Sequence, residues 1–126
     1  MTKDIRRNDR PSLYCVELRT DNWDALVEWY REVLGLRVLV RVIDDGYALL
    51  EAGETRLALL ARPSGEPSKR VSLAFEVSDM RHVLARLQAT GSPFSHPKRD
   101  QEGLREANTT DPDGNRIRLF SWPQGR

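Results

Sequence analysis

The stretch Asp111–Phe120, DPDGNRIRLF, decides how the rest of the chain is read. Its first half is a turn: Pro112 presets φ at the second turn position, Asp111 and Asn115 can accept local backbone bonds, and Gly114 tolerates positive φ. Its second half alternates, with Ile117 and Leu119 on one side and Arg116, Arg118 and Phe120 on the other. Period-two alternation marks a half-buried strand. An arginine, Arg118, therefore stands mid-strand on the face away from the apolar core.

Upstream, the strand Leu104–Thr110 leads into this turn, behind a polar loop, Pro97–Glu102, and a weak strand near Ser92–His96. Before these, Met80, Val83, Leu84 and Leu87 recur at helical spacing, with Ser78 or Asp79 as cap and Gly91 as stop. The segment Val71–Val77 alternates, setting Ser72, Ala74 and Glu76 against Leu73 and Phe75. The order of this half is strand, helix, strand, strand, strand.

The first half has the same order. Ser12–Thr20 alternates, with Cys15, Glu17 and Arg19 opposite Tyr14, Val16 and Leu18. Asp21 or Asn22 caps a helix whose apolar stripe is Trp23, Leu26, Val27, Tyr30, Val33 and Leu34, ending at Gly35. The strand Leu36–Ile43, the hairpin signal Asp44-Asp45-Gly46, and the strands Tyr47–Ala52 and Thr55–Ala61 complete it. Cys15 aligns with Ser72, Gly35 with Gly91, Asp45-Gly46 with Glu102-Gly103, and Gly53 with Gly114. A repeat of this kind sets the architecture. The expected fold is α+β: two tandem βαβββ units, 12–61 and 71–122, joined by a Pro/Gly-containing linker at 62–70. Residues 1–11 read as a flexible arm and 123–126 as a tail. Each unit leaves one sheet face uncovered, and two side by side would form a cup-shaped, mostly antiparallel half-barrel with the helices outside.

Composition narrows the function. The 126 residues carry a formal net charge of +1 and no stripe of lysines interleaved with aromatics, so nucleic acid is not an expected partner. No apolar run approaches a membrane span, and no leader pattern precedes the first strand. One cysteine, Cys15, excludes an intrachain disulfide and suits a reducing cytoplasm.

WYREVLGL (Trp29–Leu36), LAFEVSDM (Leu73–Met80) and TDPDGNRIRLF (Thr110–Phe120) together resemble the vicinal oxygen chelate superfamily of glyoxalases, bleomycin resistance proteins and extradiol dioxygenases. That resemblance covers roughly Leu13–Trp122. It implies four inward metal-ligand positions, which fall here on Cys15, Ala58, Ser72 and Arg118. Alanine cannot ligate and arginine has no acceptor lone pair, so the expectation is no metal centre and no other cofactor. His82 and His96 lie away from those positions.

The residues expected to line the cup and contact a ligand are Cys15, Glu17, Arg56, Ser72, Glu76, Arg116, Arg118 and Phe120. Arg118 suits a planar anion. Glu17 would orient it or serve as a general base, and Glu17, Glu76 and Arg118 could instead form a buried ion-pair network. Cys15 has a further reading as a nucleophile. Glu102, Arg105 and Glu106, in and after the polar loop, read as a solvated rim, with ligand contact, which the resemblance to related folds implies, as the alternative. The expected function is binding of a small anionic or aromatic molecule without the usual metal. The alternatives are a metal-dependent lyase, isomerase or dioxygenase with displaced ligands, and a metal-free acid/base enzyme using Glu17 and Arg118. Family habit and open sheet edges imply a homodimer.

Overall fold

The computed structural model describes residues 10–95, 98–99 and 103–123. The ordered elements are β1 (Val16–Thr20), α1 (Trp23–Glu32), β2 (Arg37–Val42), β3 (Tyr47–Ala52), β4 (Thr55–Ala61), β5 (Ser72–Glu76), α2 (Met80–Ala89), β6 (Lys98–Arg99), β7 (Arg105–Thr110) and β8 (Arg116–Ser121). They form two four-stranded sheets, ordered β1-β4-β3-β2 and β5-β8-β7-β6, with no closed barrel. The α+β reading with two βαβββ units holds. In each unit the helix carries the chain across the sheet, so the fourth strand returns parallel to the first (β1 with β4, β5 with β8). The remaining pairings are antiparallel hairpins.

The apolar periodicities bury what they predict. Leu26, Val27, Tyr30 and Val33 of the first helical segment join Leu50, Leu57 and Leu59 of the first sheet in a single core. Met80, Val83 and Leu87 of α2, with Ala107, Ile117 and Leu119 of the second sheet, complete that same core. One core therefore serves both units. Gly35 and Gly91 close the two helices at φ 73° and 71°, a left-handed conformation that glycine adopts without penalty.

Several element limits differ from expectation by a residue or more. The first strand begins at Val16 rather than Ser12, because pairing with β4 starts at Val16↔Leu57. Leu13 and Tyr14 consequently stand in solvent. Asn22 caps α1 without a side-chain bond; its N–H instead donates to Thr20 Oγ1 at 2.9 Å. The weak strand after α2 reduces to a single bridge, Phe94↔Thr109, followed by the short β6. His96 and most of the polar loop, Glu102 included, lie outside the described residues.

A cluster outside the core clamps β2 to α1. The Arg41 guanidinium lies 5.1 Å from the Trp23 ring centroid and reaches Asp24 at 3.3 Å and Glu28 at 3.4 Å. Exposure weakens each contact. Arg41→Ala is expected to cost about 1 kcal/mol, read as a lower urea midpoint, with most of the loss persisting in high salt because stacking is not screened as ion pairs are.

The Asp111 turn does more than reverse the chain. Asp111 Oδ1 accepts from the Asp113 and Asn115 N–H groups at 3.0 and 2.9 Å, and Oδ2 accepts from Asn115 Nδ2 at 2.8 Å. A fourth donor comes from the other unit: the Tyr30 hydroxyl, at 2.6 Å and buried. Next to it, Trp29 Nε1 donates to Ser92 Oγ at 3.1 Å. The pair Trp29-Tyr30 thus docks the first unit's helix on the second unit. Burial, and then the Asp111 carboxylate, push the Tyr30 phenol well above its ordinary range, so it remains a donor.

Candidate functional site

The face of the second sheet opposite the core carries three cross-strand rows, and the register places each residue. Ser72, Arg116 and Thr110 form one row, Ala74, Arg118 and Asn108 the next, and Glu76, Phe120 and Glu106 the third. Five of the expected site residues, Ser72, Glu76, Arg116, Arg118 and Phe120, are therefore brought onto one surface.

Within it, Arg118 leans along its strand toward the third row. Its Nε donates to Glu106 Oε1 at 2.5 Å, and its guanidinium carbon lies 5.1 Å from the Phe120 ring centroid. Phe120 in turn meets Trp122 edge to face, with centroids 5.8 Å apart. The head of Arg118 is held between a carboxylate and an aromatic ring, both about a third exposed or more on the charged side. Arg116 leans the other way, its Nη1 donating to the Lys69 carbonyl at 3.1 Å.

The expected Glu17–Glu76–Arg118 network is not formed. Glu106 is the carboxylate that pairs with Arg118, because the hairpin register sets it beside Phe120. Glu17 is carried by β1 in the first sheet and is exposed; it lines a depression of about 270 Å³ with Arg19, the linker and Asp113. Glu106, read from sequence as rim, is thus the partner of Arg118 that sequence reasoning did not assign. Counting residues outward from the Asp111–Gly114 turn would have found it, since that pairing aligns Thr110 with Arg116 and hence Glu106 with Phe120.

The other expected residues belong to the first sheet. Ala58 is fully buried between Glu17 and Leu49 in the register. Cys15 precedes β1 and is half-buried. Burial raises the Tyr47 phenol above its ordinary range. Arg56 stacks on the Tyr14 ring at 4.8 Å. It also lines a groove of about 420 Å³ whose opposite wall is the whole of β5, from Ser72 to Glu76. Val16, Leu36, Leu57, Leu73 and Phe75 make that groove mostly apolar. Arg56, Ser72 and Glu76 meet there, and the groove opens beside the rows just described.

A metal fits none of this. Of the four positions at which the fold family would place ligands, Ala58 offers a methyl group and Arg118 a cation already bound to Glu106. Among the described residues no three His, Cys, Asp or Glu side chains converge on one point.

The model of the glyoxalase/bleomycin resistance protein/dioxygenase superfamily matches residues 13–119. The chain belongs to that superfamily. It is 27% identical over 120 residues to the uncharacterized protein YraH of Bacillus subtilis (strain 168), covering 83% of this chain and 94% of YraH. A glyoxalase/bleomycin resistance protein/dioxygenase structure from Nocardioides superposes with a TM-score of 0.67 at 27% identity, over 93% of this chain and 87% of that one. TnmS3, an antibiotic binding protein from Streptomyces sp. CB03234, shares the fold with a TM-score of 0.71 at 24% identity, over 90% of this chain and 98% of TnmS3.

Proposed function

We propose that this superfamily member binds a small, aromatic molecule against the free face of its second sheet, without a metal ion and without chemistry of its own. The observation that carries this reading is the Arg118–Glu106 pair seated on Phe120 with Trp122 beside it. Such a site offers a planar cation, two aromatic surfaces and an adjoining apolar groove, the mixture of apolar lining and few placed polar groups that suits a small ligand. The shared fold with an antibiotic binding protein supports a sequestering role. The alternatives have less support: among the described residues no three metal-ligating side chains converge, and Glu17 stands on a different sheet from Arg118.

The test is thermal unfolding against a panel of aromatic antibiotics and aromatic acids, repeated with Zn, Ni and Mn. Saturating ligand at one hundred times Kd should add about 2.7 kcal/mol of stability, and the metals should add none. Arg118→Gln should reduce the ligand's gain while leaving the unliganded transition within a few degrees. A metal-dependent gain, or a ligand gain untouched by Arg118→Gln, would refute the reading.

We further propose that the protein works as a homodimer in a reducing cytoplasm. Val40, Val42 and Ile43 are exposed along the edge strand β2 and the turn that follows it. Sedimentation equilibrium reads the mass directly, and a monomer at micromolar concentration would refute the dimer.

A further inference from the structure

The binding face is electrically polarised along its strands, and this narrows the ligand class; the inference rests on the proposed small-molecule site. The two arginines of β8 differ in how they are partnered. Arg118 is paired with the Glu106 carboxylate. Arg116 is held by a neutral carbonyl, that of Lys69, and makes no ion pair among the described residues. Its positive charge is left for another partner, at the end of the face where the row contains Ser72 and Thr110.

The opposite end carries the complementary charge. Glu76 stands beside Phe120 on β5 and makes no ion pair among the described residues. Glu106 is committed to Arg118, and in the register Lys98 stands beside Glu106 on β6, on the side away from Glu76. Arg56 lines the same groove as Glu76 but is stacked on Tyr14. The Arg116 and Phe120 rows are four residues apart along β8, about 13 Å at the strand rise. Between them, at Ala74 and Asn108, the surface is exposed and uncharged.

We infer that the ligand is an elongated, flat amphoteric molecule: an anionic group at Arg116, a cationic group at Glu76 beside the Phe120 ring, and an aromatic body between them. Arg116 accepts the anion through its guanidinium fork. Glu76 favours an ammonium group by charge, beside the Phe120 ring on which Arg118 already lies. Arg118, neutralised by Glu106, contributes a planar surface rather than a free charge.

Three probes separate these contributions: 4′-(aminomethyl)biphenyl-4-carboxylate, biphenyl-4-carboxylate and 4-(aminomethyl)biphenyl. Amide chemical shifts of full-length protein locate binding, and titration gives Kd. The zwitterion should bind about tenfold more tightly than either singly charged probe, one charge contact's worth of affinity. Arg116→Gln should reduce the zwitterion to the level of the amine and leave the amine unchanged. Glu76→Gln should do the converse. Both side chains are exposed, and unchanged thermal transitions will show that the variants fold. Shifts on β5, β7 and β8 with no preference for the zwitterion, or with all probes weakened equally by each variant, would overturn the polarity and leave the site standing. No shifts on those strands with any probe would overturn the site as well.

Discussion

Asp111→Ala is expected to lower stability by about 3 kcal/mol, the largest loss of any single polar substitution considered. For a chain of this size that is a fall on the order of 10 °C in Tm. The carboxylate is buried at 3% exposure and satisfies four donors, of which three are local and one, Tyr30, lies 81 residues away. Removing it strands the Tyr30 hydroxyl and the Asn115 amide, and a buried donor without an acceptor costs more than a hydrogen bond contributes when made. The loss should include the docking of the two units, so hydrogen exchange should quicken in α1 as well as around the turn. Acceleration confined to residues 111–115 would show the turn to be merely local.

Tyr30→Phe should cost about 2 kcal/mol at pH 8, the value of a hydrogen bond to a charged group, and it should also alter the pH dependence. The Tyr30 phenol titrates far higher in the folded chain than in the unfolded one, because of burial first and the Asp111 charge second. Below the unfolded value near 10, both states hold the proton and the stabilisation is complete. Above it, the unfolded chain releases a proton that the folded chain keeps, so stability falls by about 1.4 kcal/mol per pH unit. The phenylalanine variant lacks that slope. Urea unfolding at pH 8 and pH 11 should therefore show the gap between the two proteins narrowing at the higher pH. A constant gap would mean that the phenol is not confined as described.

Much of the fold was legible because its signals are local. Ile117 and Leu119 are buried while Arg116 is exposed and Arg118 and Phe120 are half-exposed, as their alternation requires. The strands Tyr47–Ala52 and Thr55–Ala61 match residue for residue, since the tight turns before Tyr47 and between Ala52 and Thr55 fix their register. The start of β1 was not legible. Leu13 and Tyr14 continue an apolar alternation, but β4 offers no paired residue before Leu57, so the pattern outruns the sheet.

The site was legible in part. The face on which Ser72, Glu76, Arg116, Arg118 and Phe120 meet follows from alternation and the repeat. The company they keep does not. Glu106 could be read as rim because its own segment is polar on both sides; only the antiparallel register sets it opposite Phe120, within reach of Arg118. Arg56 joins Ser72 and Glu76 through a groove between the units, which no local pattern encodes.

By itself, the sequence determined that two βαβββ units follow one another, and that Ala58 and Arg118 stand mid-strand on the faces away from the core. Both are matters of residue identity and short-range period, which a chain carries before it folds. Only the tertiary structure decided that Tyr30 holds Asp111, that Glu106 neutralises Arg118, and that Arg116 keeps its charge at the other end of the face. Those pairings join residues separated by 81, 12 and 47 positions. At such separations partners are chosen by sheet register and helix docking, so none of these pairings exists before the chain has folded.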